Sequence, residues 1–455
     1  MDAFYNIVDF VKEELQKNEG MLGEVLNKLT TKAVQGDIKA REVIKEKIKL
    51  CLLKNSMDEA RTSDIVKKYC RLTNFTFQDK NLHFVDMLTQ IIYQEAYGLS
   101  VIDELATSEL NEIGTTRFDY IWVQKSGVKY KMPFRFIDEK HYENIIVNRL
   151  SAYKKKHDLN SINPYYLGER INGSRITITV PPFSGHVAGN IRNFDLKNLK
   201  DEDLITGGAG WDFIEFLENI YPGRPNFLII GGQGVGKSTL LRYMARFITD
   251  NLGIGTIENS FELNLDNYYP LKNIIKLCVT DSLDIHECFR IMLKQNRDII
   301  FNGEISHPGE AIETLNAMSR MAKGSGGTFH SSSPLNAIYD FKNLLMSSGY
   351  YSSDNAALFD VVRAVDLIIE PRIDFKTGKR FLNKVTEVKE YPRENNFELI
   401  DIWSWDKTAA RLVPASEKLS NDLQHKLLDF DCCSENIKRI NDILRGKRGV
   451  KGDVS

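Results

Sequence analysis

Apolar positions change their period along the chain, and the changes divide it. From the first residues to about Asp86 the spacing is helical. Phe4, Ile7, Val8, Val11 and Leu15 fall on one face, and beyond Asp37, a residue suited to cap a helix start, Ile44, Ile48, Cys51 and Leu52 do the same. These stripes predict ordinary helical core, with a docking face for a partner as the alternative. Ser108 to Thr116 reads as polar. Phe118 to Val123 (FDYIWV) and Val128 to Lys131 then flank Gln124-Lys125-Ser126-Gly127 and predict a hairpin. Helical spacing returns over His141 to Ala152. Further on, Ile176, Ile178 and Val180 alternate with Thr177 and Thr179 after an Asn172-Gly173 turn, a strand that Pro181-Pro182 ends. Arg170, Arg175 and Arg192 punctuate this region. Asn193 to Gly210 is polar and closes on Gly207, Gly208 and Gly210, which predicts a hinge between a front domain and the next.

The second half opens on NFLIIGGQGVGKSTL, Asn226 to Leu240. An apolar run, Phe227 to Ile230, predicts a buried strand. Leu240, Leu241, Met244, Phe247 and Ile248 share one face of a following helix, and between them lies a loop fitting G-x-x-x-x-G-K-[ST]. Glycine lets successive N–H groups converge on one anion, and the helix start adds its partial positive charge. Gly232, Gln233, Gly234, Val235, Gly236, Lys237, Ser238 and Thr239 are thus the expected phosphate-binding set for ATP. Lys237 is expected to reach the β- and γ-phosphates and Ser238 to hold Mg²⁺. The bland alternative is a glycine-rich turn beside an exposed lysine.

Three segments follow in order. GTIENSFEL, Gly255 to Leu263, carries Glu258 and Glu262; RDIIFNGE, Arg297 to Glu304, is an apolar strand ending in an acid; GSGGTFHSSSP, Gly324 to Pro334, is a small-residue loop around His330. Taken singly, each fits an ordinary solvated turn, strand end or structural histidine. Composition narrows the partners. With 60 Lys and Arg against 62 Asp and Glu the formal charge is -2, so no global field favours nucleic acid or anionic membrane. The six cysteines form no C-x-x-C pair, which points to a reducing compartment. The first twenty residues are too charged for a signal peptide, no stretch is apolar enough to span a bilayer, and a cytoplasmic location is expected.

Phosphate loop, IENSFEL, IIFNGE and GSGGTFH, in that order, closely resemble the type II/type IV secretion ATPase superfamily, the traffic ATPases. The likeness is specific over about Asn226 to Glu390, including AVDLIIEPRIDFKTGKRFLNKVTEV. It reaches back more loosely through RINGSRITITVPPFSG and NIRNF, where it is most similar to the Tad/Flp pilus-assembly and conjugative-secretion branches. The resemblance implies an α/β fold, a RecA-like P-loop NTPase domain (201–395) preceded by an α+β PAS-like domain (91–200); the helical spacing ahead of it, which the resemblance does not cover, predicts an N-terminal helical extension (1–90). Residues 396–455 are expected as a C-terminal extension, partly helical, with a flexible basic tail. It also implies a ring of six, with ATP bound between domains and neighbouring subunits.

By the same resemblance Glu304 orients or activates the attacking water; Glu258, the first acid of the family's acidic box, helps hold Mg²⁺ and water, and Glu262 is the second acid of that box. His330 senses the γ-phosphate, and Arg175 and Arg192 reach the nucleotide from the front domain. The expected role is an ATP-hydrolysing motor for a secretion, conjugation or pilus machine, docked on an integral-membrane platform protein at the inner face of the membrane. No direct nucleic-acid binding is expected. The alternative is an ATP-binding scaffold or regulator with weak turnover. Its motive is missing arginines: ISHPGE (Ile305 to Glu310) offers Ser306 and His307 where members of the resembled family commonly carry arginine. Asn259 also stands where that family usually has Asp, and Gly303 replaces the usual Asp before Glu304. The arginine-rich stretch before the acid-bearing strand is likewise reduced to LKQNRD, Leu293 to Asp298.

Overall fold

A computed structural model describes residues 2–17, 23–55, 59–77, 79, 81–107, 110–125, 127–152, 158–193, 199–280, 282–321 and 323–446. Residues 108–109 of the expected polar stretch, Ser126 of the expected hairpin turn, 194–198 of the expected hinge, and the tail from 447 onward lie outside the described residues. Two compact units result, Met1–Asp195 and Leu196–Ser455. Among the described residues no helix is long and apolar enough to cross a membrane.

In the first unit, helices Asp2–Lys17, Gly23–Val34, Ile38–Lys54, Glu59–Thr73 and Phe84–Ala96 precede a six-stranded antiparallel sheet. Its strands are β1 (Glu112–Arg117), β2 (Tyr120–Lys125), β3 (Val128–Lys131), β4 (Tyr165–Glu169), β5 (Arg175–Thr179) and β6 (Ala188–Arg192), in the order β3-β2-β1-β6-β5-β4. The helical stripes are core: Val11, Ile44 and Ile48 are buried in one cluster with Ile113, Ile121, Ile176 and Ile178 of the sheet. Asp37 caps its helix, accepting from Ala40 N at 3.1 Å.

The stretch that reads as polar becomes a central strand, β1, between β2 and β6. Its apolar cover comes from a neighbour: Trp122 lies over Gly114, where a Cβ would meet the indole at 2.1 Å. The β2–β3 hairpin forms with Lys125 opposite Val128, but its first strand begins at Tyr120 rather than Phe118. Arg170 is structural. Its buried guanidinium donates to Val34 O at 2.8 Å and Ala106 O at 3.2 Å, tying the β4–β5 turn to the helical layer.

The second unit holds a nine-stranded sheet. Its strands are β7 (Phe227–Ile230), β8 (Gly253–Glu258), β9 (Asn273–Cys278), β10 (Ile299–Ile305), β11 (Gly326–Phe329), β12 (Leu367–Ile373), β13 (Arg380–Tyr391), β14 (Asn396–Asp406) and β15 (Arg411–Pro414). They run in the order β15-β14-β13-β12-β7-β11-β10-β8-β9. From β12 to β9 every pair is parallel, and the remaining three pairs are antiparallel. All four residues of β7 are buried, as a strand covered on both faces requires. This is a RecA-like α/β sheet, and because its central strands are parallel their carboxyl ends share one edge, where ligands bind in such folds.

Residues 396–446, expected as an extension, complete this sheet and its core. Ile402 and Trp403 of β14 are fully buried, with the Trp403 ring edge-on to Phe213 at 5.3 Å, and helices Asn421–Leu428 and Ser434–Leu444 bury Leu427 and Ile440 in the same cluster. The described part of the expected hinge is not all loop, since Asp201–Thr206 is helical.

Candidate nucleotide-binding site

The loop after β7 needs glycine at three places. Gly231, Gly234 and Gly236 have φ of +144°, +77° and +97°, values that side-chain-bearing residues rarely adopt. Helix Lys237–Met244 starts directly from Gly236, so its first N–H groups point into the loop. Lys237 is buried, and its ammonium donates to Gly231 O at 3.0 Å and Gly232 O at 2.9 Å. A guanidinium that the sequence reading passed over also meets this loop: Arg380, at the start of β13, donates from Nε to Gly234 O at 3.1 Å. Its only sequence signal was its place in the TGKRF segment of the closing strands.

The ends of β10 and β11 deliver the next two groups. His330 follows β11, with Nδ1 3.4 Å and Nε2 3.5 Å from the Lys237 ammonium, and its Nε2 lies 3.3 Å from Glu304 Oε1. The side chains of His330 and Glu304 are 46% and 44% exposed, so both face open solvent at the sheet edge. A bulge aims Glu304. Asn302 pairs with Gly327 but Ile305 with Phe329, so β10 carries one extra residue at Gly303-Glu304. Thr328 Oγ1 donates to Gly303 O at 2.6 Å and holds the bulge.

Glu258, at the end of β8, is held differently. It is 3% exposed; its Oε1 accepts from Thr256 Oγ1 at 3.0 Å, and its Oε2 from the backbone N–H of Glu262 at 2.8 Å and Leu263 at 2.7 Å. Arg242, on the helix after the phosphate loop, donates to the carbonyls of the same two residues, Glu262 at 3.0 Å and Leu263 at 2.9 Å. The acidic-box loop is thus gripped from both sides, with Glu262 contributing its backbone. Burial pushes the Glu258 carboxyl up to about 7 against the pull of its three donors. Gly303 makes room for it, because a Cβ there would stand 2.9 Å from Glu258 Cγ. Any side chain at this position would therefore have to displace Glu258.

Arg175 and Arg192 stand in the other unit, on β5 and β6, directly opposite each other across the strand pair. Among the described residues no group of three or more His, Cys, Asp and Glu side chains is arranged to hold a metal ion. The donors that fit Mg²⁺ are the Ser238 hydroxyl at the helix start and Glu258 Oε1, which accepts one hydrogen bond and keeps a second lone pair.

Residues 95–375, more than half of the chain, match the family model described as Type II/IV secretion system protein. The chain is similar to a putative conjugal transfer protein of Mycobacterium tuberculosis strain H37Rv, at 21% identity over 333 residues, covering 70% of this chain and 92% of that one. It is also similar to protein VirB11 of Rhizobium radiobacter, at 24% identity over 301 residues, covering 59% and 87% respectively. Among solved structures it matches the ATPase DotB of Yersinia pseudotuberculosis at 15% identity with a TM-score of 0.48, over 82% of this chain and 89% of that chain. With a phosphate loop, two acid-bearing strand ends and a histidine gathered along one edge of the sheet, and with this match, the chain belongs to the type II/IV secretion system protein family, the traffic ATPases.

Proposed function

We propose that this protein hydrolyses ATP in a Mg²⁺-dependent reaction and that the hydrolysis drives a secretion, conjugation or pilus-assembly machine at the inner face of the membrane. The observation carrying this reading is the meeting of Lys237, His330 and Glu304 at the mouth of a glycine-built loop. Phosphoryl transfer asks little covalent help from a protein; it needs charge neutralisation and a positioned nucleophile. The Lys237 ammonium and the N–H groups opening its helix supply positive charge for the phosphates. Glu304 accepts the proton of the attacking water, and its exposure leaves space for that water. His330 touches both Lys237 and Glu304 and so reports on the presence of the γ-phosphate. Ser238 and Glu258 hold Mg²⁺, which supplies further charge neutralisation when bound.

A ring of six, with Arg175 and Arg192 brought to the nucleotide from the front unit and an integral-membrane platform protein as partner, completes the proposal. Full-length wild type and Glu304→Gln are compared for ATP binding and ATP turnover. Binding by both with turnover by the wild type alone is the expected result. Binding by both with no turnover by either favours the scaffold or regulator reading, whose motive is Ser306 and His307 standing where relatives carry arginine.

A further inference from the structure

Asn259, directly after β8, and Ser306-His307, directly after β10, meet on one carboxylate. Glu310, in the first turn of helix Pro308–Asn316, is 5% exposed. Its Oε2 accepts from Ser306 N at 2.6 Å, Ser306 Oγ at 3.0 Å and His307 N at 2.9 Å. Its Oε1 accepts from Asn259 Nδ2 at 2.9 Å. The same helix is tied to β10 from inside, since Asn302 Nδ2 donates to Thr314 Oγ1 at 3.0 Å. Asn259 directly follows Glu258, and Ser306 stands two residues beyond Glu304, so this bridge, with exposed residues on either side of the buried Glu310, joins the exits of the adjacent strands β8 and β10.

We infer that Asn259 is a positioning residue for the Glu304 reaction centre, and that asparagine is required there because its partner is itself an acid. An amide can donate to Glu310; an ionised aspartate can only accept. Aspartate at this position would bring a second carboxylate from the exposed side to hydrogen-bonding distance of the buried Glu310, where like charges repel and the donor is lost. The β10 exit would then part from the acidic box, and Glu304 would lose the fixed backbone on which it stands. Donor and acceptor are matched within this chain, and changing one member alone is the damaging change. This inference rests on the hydrolytic reading above.

The test uses full-length wild type, Asn259→Asp, Glu310→Gln and the double variant N259D/E310Q, read by kcat and KM for ATP and by melting temperature. N259D is expected to lower kcat by about tenfold or more while KM stays within about threefold, since only the reacting centre is disturbed. In the double variant the two roles are swapped: the amide introduced by E310Q donates to the carboxylate introduced by N259D. There kcat is expected to return to within about threefold of wild type, a coupling that a purely additive pair cannot give. N259D with wild-type kcat, or a double variant no better than the product of the two single changes, overturns the inference. Should N259D not fold, Asn259→Ala carries the test. It removes the donor without adding a charge, and is expected to lower kcat by about threefold to tenfold with KM unchanged. An unchanged kcat overturns the inference, as does an N259A change confined to melting temperature. A wild type without turnover sinks the hydrolytic reading, and this inference with it, whereas an active wild type alongside an equally active N259D sinks the inference alone.

Discussion

Glu258 and Glu304 end neighbouring strands at one sheet edge, yet their surroundings are opposite. Glu258 is 3% exposed and holds three donors, two of them backbone amides of its own loop. Glu304 is about half exposed and faces a histidine. A carboxylate that organises a loop and one that stands open at the sheet edge look identical in sequence and differ in what surrounds them. The buried acid fixes where its loop sits; the open one lies beside His330.

The largest test of this contrast removes the open acid. Glu304→Gln should cut ATP turnover by on the order of 10² to 10⁴, the usual worth of a general base, while melting temperature and nucleotide affinity stay near wild type. Next is the space beside the buried acid. Gly303→Ala places a methyl group 2.9 Å from Glu258 Cγ, and Glu258 cannot swing away without releasing its donors. A loss of about 1–3 kcal/mol in denaturant unfolding is expected, with lowered turnover as a consequence. Wild-type stability in this variant would dissolve the distinction between the two acids.

A smaller effect follows pH. The folded-state value for Glu258, about 7, lies above its ordinary 4.5. Its contribution to stability is therefore complete below about 4.5 and disappears as pH rises through about 7. Urea midpoints of protein free of nucleotide and metal should fall between pH 5 and 8, and Glu258→Gln should lack this component. Smallest is a control beside His330: Ser333 caps helix Pro334–Ser347, accepting from Asn336 N at 3.2 Å. Ser333→Ala should cost about 1 kcal/mol in unfolding experiments and leave kcat nearly unchanged.

Much of this site is legible in the chain. The strand Phe227–Ile230, the glycines of its loop and the acid closing IIFNGE each announce themselves by local pattern, and those are features set by neighbours in sequence. What is illegible depends on partners far along the chain. The polar look of Glu112–Arg117 hides a central strand because Trp122 covers Gly114 from the next strand. The bulge that aims Glu304 exists only relative to the register of β11. Gly303 reads as a lost acid until Glu258 is seen filling its place, and Asn259 reads as a weakened box until Glu310 is found opposite. Arg380 reaches the phosphate loop from 146 positions away, a distance at which no spacing rule operates.

The strap formed by the final strands and helices bears on how the molecule can be divided. Asp366 accepts from the amide of Asn226, the residue that leads into the phosphate loop's strand, and its other oxygen takes Lys426 at 2.7 Å. A shortened version ending near Glu390 would strip that lysine from a buried acid and uncover Phe213 and Phe216, which Trp403 now shields. Whoever isolates the rear half for crystallisation or screening has to carry the polypeptide through Leu444 to keep that core covered.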